Sequence, residues 1–232
     1  MDTESGVLNL SDIVSKLEDH VFVTNTHQQP IIHLERNDRL KGIQHINIIY
    51  EAIQNQAAIS ICYQSFKAIS AQEIIFHPWW LKEYKNRWFV FGIKDSREVI
   101  LNLALDRISN ISYPKVVKYI ASHISSIDDY FKNIIGVTVS QNARPENVKI
   151  RVDKENAPYV ITKPIHHSQD VIETLEEGSI VISIHVQLNF ELEREILGFG
   201  DSMVVLSPEK LRKRIISKTT NMAKLYQNSK SY

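Results

Sequence analysis

From Ala58 to Tyr113 the apolar residues recur at every second position, interrupted only by short polar turns such as Lys94–Arg97. A period of two sets side chains alternately on the two faces of an extended chain, so this stretch is restricted to sheet. Strands are expected near 58–66, 73–77, 88–93, 98–105 and 108–113. With no helix between them, they can pair only as antiparallel neighbours. That predicts a small antiparallel barrel or a curled sheet.

Helical periodicity flanks this unit. Residues 11–22 place Ile13, Val14, Leu17 and Val21 on one face behind Ser11, and 42–56 repeat the pattern through Ile43, Ile46, Tyr50 and Ile53. Two amphipathic helices with little else read as a helical linker over 1–57. A further helix is expected at about 125–135, capped by Ser125 or Ser126 and stopped by Gly136. From Asn147 the order becomes strand (Val148, Ile150, Val152), short helix (154–161), strand (169–175), strand (Ile180 to Leu188), helix (Phe190–Leu197) and strand (Met203–Leu206). This βαββαβ order is that of a ferredoxin-like sandwich. Ser207-Pro208-Glu209 then opens a long helix whose apolar face is Leu211, Ile215, Met222 and Leu225. The expected class is α+β. Its divisions are 1–57 (linker), 58–115 (barrel), 116–146 (connecting helix and linker) and 147–232 (βαββαβ unit with C-terminal helix).

Charge excludes little globally, because 27 basic residues balance 27 acidic ones. Locally the balance breaks. Residues 208–232 hold seven Lys/Arg and one acid, whereas 170–201 hold eight acids and one base. Such blocks pair within the molecule, pair between subunits, or lie on solvated faces. The single cysteine, Cys62, excludes an intramolecular disulfide and a cysteine-rich zinc module. Acids at Asp2 and Glu4 and the lack of an apolar core near the N-terminus argue against a signal peptide. No apolar run approaches the roughly 18 residues of a membrane span, so a cytoplasmic chain is expected.

Catalytic patterns are missing: there is no nucleophile elbow, Walker lysine loop, paired-histidine zinc helix or dinucleotide turn. His166-His167 has no thiol or carboxylate cluster beside it, and Glu191, Glu193 and Glu195 read as the solvated face of a helix. We therefore expect no enzyme, no metal and no cofactor. What exceeds structural need is the segment FHPWWLKEYKNRW at 76–88. Rings beside cations at Trp79, Trp80, Lys82, Tyr84, Lys85, Arg87 and Trp88 suit a flexible anionic ligand such as a nucleotide or single-stranded nucleic acid. Arg107, at the end of an apolar run after Asp106, offers an ion pair or an anion contact. Tyr63 and Ser65 are polar tips on an apolar strand, and His77 is held extended by Pro78. The candidate ligand residues are Tyr63, Ser65, His77, Trp80, Lys82, Lys85, Arg87, Trp88 and Arg107, converging on one barrel mouth. The competing reading is that the rings cap the barrel while the lysines keep it soluble.

The order Ile61-Cys62-Tyr63, His77-Pro78, Asn86-Arg87-Trp88-Phe89-Val90 and Leu105-Asp106-Arg107-Ile108 resembles a WYL domain. Trp88-Phe89-Val90 stands where that family has its Trp-Tyr-Leu triplet, and Leu101 and Ala104 stand where many members carry arginine. The stretches His166–Val171, Ile196–Gly200 and Val204–Pro208 resemble the WCX extension that follows WYL domains. The resemblance covers about residues 58–226. It implies an Sm/SH3-like barrel that senses a nucleotide or nucleic acid, a ferredoxin-like unit that helps form homodimers, and a bacterial transcriptional regulator. Such regulators bind DNA through an N-terminal winged helix-turn-helix. Residues 1–57 lack that helix–turn–helix–wing order, so this chain is expected to be a fragment or a shortened regulator. A ligand-free protein–protein interaction module is the alternative.

Overall fold

The computed structural model describes residues 41–95, 99–140 and 142–228. The helix expected at 11–22 lies outside the described residues. The chain divides into two compact units, the first ending at His123 and the second beginning at Ile124.

In the first unit, helix α1 (Ile46–Gln54) precedes strands β1 (Ile59–Tyr63), β2 (Gln72–Tyr84), β3 (Arg87–Lys94), β4 (Ile100–Ala104) and β5 (Ile108–Ser112). All are antiparallel, in the order β4-β3-β2-β1-β5. The expected barrel is not closed: β4 and β5 are the two edges of an open sheet, and no ladder joins them among the described residues. The alternation fixed which residues face inward. It carried no information on whether the edge strands would meet. Ile46, Ile49 and Ala52 of α1 pack on Ile59, Ile61, Ile74, Phe76, Val90 and Leu103. Each buried Ile, Leu, Val or Phe among these contributes about 1.5–3 kcal/mol.

Strand β2 runs to Tyr84, well past the expected end at residue 77. It continues because Trp80 to Tyr84 pair with Phe91 to Arg87. The register shifts between Pro78 and Trp80, a bulge that absorbs the proline's missing donor. Gly92 sits against this bulge, where a Cβ would come within 2.1 Å of the His77 carbonyl oxygen. Lys85 and Asn86, both at positive φ, close β2 and β3 with a two-residue turn.

The second unit contains α2 (Ile127–Phe131), β6 (Glu146–Val152), α3 (Ala157–Thr162), β7 (Asp170–Thr174), β8 (Ile180–Val186), α4 (Phe190–Gly198), β9 (Met203–Ser207) and α5 (Glu209–Asn228). Its antiparallel sheet has the order β7-β8-β6-β9. Val148, Ile150, Ile182 and Ile184 meet Val160, Leu192, Ile196 and Leu211 in one core.

Two expectations fail in this unit. Helix α2 covers only 127–131, because the chain after it is held elsewhere. Asn189 Nδ2 donates to the carbonyls of Ile135 and Thr138, and Glu191 Oε1 accepts from the Val137 and Thr138 amides and the Thr138 hydroxyl. Nor are Glu191 and Glu193 solvated: they are only 6% and 7% exposed. Glu193 receives Arg214 at 3.2 Å and Lys218 at 3.3 Å, so part of the acidic block pairs with the basic block inside this unit. Lys210 pairs with Glu146. Beyond Leu211 and Ile215 helix α5 buries little, leaving Ile216, Met222, Leu225 and Tyr226 exposed.

Candidate functional site

The first unit carries an open surface cavity of about 400 Å³. One wall is the loop after β1, contributing Gln64, Ser65, Phe66, Ala68 and Ala71. The other is the turn into β5, contributing Asp106, Arg107, Ile108 and Ser109. The walls are joined by backbone, since the Gln64 amide donates to the Arg107 carbonyl at 3.1 Å. The loop folds on itself through the Ala68 amide to the Ser65 carbonyl and the Gln64 side-chain amide to the Ala68 carbonyl. This leaves Phe66 74% exposed. The Arg107 guanidinium lies 4.1 Å from the centre of that ring, a cation–π contact that holds both groups at the cavity's rim.

Charge at the site is set by three residues. Arg107 supplies one positive charge, and its Nε is buried without a hydrogen-bond partner. Asp106 supplies a negative charge that is neutralised by Arg87, whose guanidinium stands 3.3 Å from Oδ2. The remainder is one net cation beside an aromatic ring, with hydroxyls from Ser65 and Ser109 nearby. Such a surface can stack a planar group and pair with an anion.

The nine residues singled out by sequence do not gather in one place. Ser65 and Arg107 line the cavity, and Arg87 reaches it through Asp106. Tyr63, just before the loop, and Trp88 are half-buried against the α1 side of the sheet. The β2–β3 register puts Trp80, Lys82, Arg87, Phe89 and Phe91 on the opposite side. Trp80 there stacks on Phe91 at 5.9 Å. Lys85 is exposed at the hairpin tip. His77 is 2% exposed; its Nδ1 accepts the Ile120 amide at 3.2 Å, and burial lowers its pKa. Its ring is thus a neutral structural acceptor. Trp79 also serves the fold, donating to the Ile120 carbonyl at 2.9 Å. The expected convergence of Trp88 and Arg107 on one mouth is therefore not built. Their backbones are neighbours, as the Arg87–Asp106 pair shows, but Trp88 packs toward the core while Arg107 lines the cavity.

Sequence reasoning missed Phe66 and, apart from Ser65, the rest of its loop. The available signal was an isolated aromatic in a polar, aperiodic stretch, where a buried role is not expected.

The second unit has a cavity of about 450 Å³ lined by Asp128, Asp129, Phe131, Lys132 and His167. Its charges are mixed, and no cluster of three or more metal-ligating side chains exists among the described residues. The adjoining His166 is buried. Its Nδ1 accepts the Ser168 amide and faces the Ser168 hydroxyl at 2.8 Å. Burial and the nearby His167 push its pKa down to about 4.

Comparison with known proteins places these units. Residues 44–112 match the WYL domain and residues 144–223 match the WCX domain. No curated protein matches the chain in sequence. Among solved structures, proteasome accessory factor B/C (PafBC) of Arthrobacter aurescens is similar at 15% identity and TM-score 0.32, over 78% of this chain and 27% of that one. A CRISPR Cas-related protein is similar at 12% identity and TM-score 0.48, over 78% of this chain and 50% of that one. The chain thus spans half or less of either structure's own length. A sheet unit matching the first domain, followed by a βαββαβ unit matching the second, makes this chain a member of the proteins that carry a WYL domain followed by a WCX domain.

Proposed function

We propose that this chain is the ligand-sensing and dimerising portion of a bacterial WYL-type transcriptional regulator. It binds a nucleotide or single-stranded nucleic acid at the Arg107 cavity and carries out no catalysis. The observation that carries this reading is the Arg107 guanidinium set 4.1 Å over the exposed Phe66 ring at a cavity large enough for a nucleotide. A charge-assisted bond from arginine contributes about 1.5–3 kcal/mol, and stacking on an aromatic ring about 1–3 kcal/mol per base. In this reading the open sheet is a variant of the Sm/SH3-like barrel and the second unit is ferredoxin-like. DNA is read by a winged helix-turn-helix joined to this portion, in the cytoplasm. No helix among the described residues is long and apolar enough to cross a membrane.

The test is anisotropy of a fluorescein-labelled pentathymidylate, competed by cyclic and linear mononucleotides. Saturable binding that Arg107→Ala abolishes is expected. A folded protein that binds none of these probes removes the proposal.

A second function, self-association, is favoured by the exposed Ile216, Met222, Leu225 and Tyr226 of α5. Sedimentation equilibrium measures it, and a chain that stays monomeric at high micromolar concentration refutes it.

A further inference from the structure

We propose that the start of α1 is the output lever of the cavity. The three-residue turn Leu105–Arg107 passes a change at the cavity to Gly42–Ile46, and so to whatever the chain carries before Lys41. This rests on reading the cavity as a ligand site, and it assigns a route by which occupancy leaves the first unit.

The turn is gripped at both ends by the residues that lead into α1. Gly42, at φ 90°, lies flat on the 105–106 peptide. A Cβ there would stand 2.3 Å from the Leu105 carbonyl carbon and 2.6 Å from the Asp106 nitrogen. Even a methyl group has no room between the two backbones. At the far end, His45 Nε2 is 3.0 Å from the Ile108 carbonyl oxygen. A carbonyl can only accept, so Nε2 carries the proton and donates. Leu105 is fully buried and Ile46 is 5% exposed, so neither side of the contact can yield into solvent.

The same turn holds the cavity on its other side. Its carbonyl at Arg107 receives the Gln64 amide, and its Arg107 side chain covers Phe66. A ligand that draws Arg107 inward therefore displaces a turn whose backbone is packed against Gly42. Close-packed contacts transmit such shifts because they have discrete arrangements and no slack.

Coupling of this kind is reciprocal, so it can be tested from either end. In the full chain, His45→Ala and Gly42→Ala are compared with His45→Gln, whose side-chain amide can still donate to the Ile108 carbonyl. The readout is the phenylglyoxal modification rate of Arg107, followed by peptide mapping. His45→Ala and Gly42→Ala are expected to change that rate about fivefold or more, and His45→Gln to return it toward wild type. If Gly42→Ala does not fold, the His45 pair decides alone. An unchanged rate in folded His45→Ala overturns the lever.

The second arm adds pentathymidylate to the native chain and measures amide exchange at residues 43–49. Binding that leaves those amides unchanged overturns the lever while the receptor stands. Absence of binding, with Arg107 reactivity still responding to His45→Ala, retains the lever and removes the receptor.

Discussion

The ion pair between Arg87 and Asp106 makes an unusual demand on the site: removing an acid that lines the cavity should improve it as an anion receptor. Asp106 is 14% exposed, while Arg87 is 46% exposed and bonded to it at 3.3 Å. A phosphate held by Arg107 would share the site with the Asp106 carboxylate of the neighbouring residue, and a separation on the order of 8 Å sets the scale of their repulsion. Two unit charges at that spacing interact by about 2 kcal/mol at an effective dielectric of 20 and about 0.5 kcal/mol in bulk water. Because Asp106 is the more buried partner, Asp106→Asn should tighten thymidine monophosphate by about 1–2 kcal/mol. That corresponds to roughly fivefold to thirtyfold. Arg87→Ala, which leaves the carboxylate unmatched, should weaken it by about 0.5–1 kcal/mol even though Arg87 does not line the cavity. Asp106→Asn loses a pair whose arginine is half-exposed and costs about 1 kcal/mol of stability, whereas Arg87→Ala strands a largely buried carboxylate and costs about 1–3 kcal/mol, so a thermal melt accompanies each titration. Calorimetric titration at about 50 mM and about 200 mM salt measures both effects, and the gain from Asp106→Asn should shrink at the higher salt. If Asp106→Asn instead weakens binding as much as Arg107→Ala does, the carboxylate accepts hydrogen bonds from the ligand. The electrostatic account is then wrong.

Phe66→Ala should cost pentathymidylate about 1–3 kcal/mol while leaving inorganic phosphate nearly unaffected; equal losses for both probes would show that the ring only positions Arg107. Glu193→Gln removes the carboxylate shared by Arg214 and Lys218 and should destabilise the second unit by about 1–2 kcal/mol. Urea melts should show a larger loss for Glu193→Gln than for Lys218→Ala, since the lysine is half-exposed and its loss leaves Arg214 on the buried carboxylate. His166 has a folded-state pKa of about 4 against 6.5 unfolded, so the unfolded chain binds the proton first as pH falls. Stability should decline between pH 6.5 and about 4, by no more than about 3 kcal/mol, and His166→Asn should flatten that slope in a pH series of thermal melts. His77 is shifted in the same direction and adds to the decline in the first unit.

Most of the secondary structure was legible because period two and period 3.6 are imposed by burial on one face. The β6–β9 sheet followed from Val148, Ile150, Ile182 and Ile184 in this way. What was not legible depended on pairings remote in sequence. Strand β2 outran its expected end because Leu81 and Glu83 found Val90 and Trp88. Helix α2 stopped early because side chains about 50 residues later, Asn189 and Glu191, hold the 135–138 backbone. The site was half legible. Arg107 and Ser65 stood out as polar groups at strand ends, but the rings of 76–88 drew attention by number alone. Composition does not reveal on which side of a sheet each ring lies, and the bulge at Pro78–Trp80 shifts the alternation in mid-strand.

Helix α5 has a physical consequence of its own. It is 20 residues long, which spans about 30 Å, yet its anchoring side chains, Leu211 and Ile215, lie in the first two turns. Past Lys218 the side chains of some ten residues are exposed, and in water a stretch that short does not sustain helicity by itself. The order of its final turns therefore reports on whether something covers Met222, Leu225 and Tyr226. Circular dichroism that rises with protein concentration would register a meeting of subunits before any separation by size does.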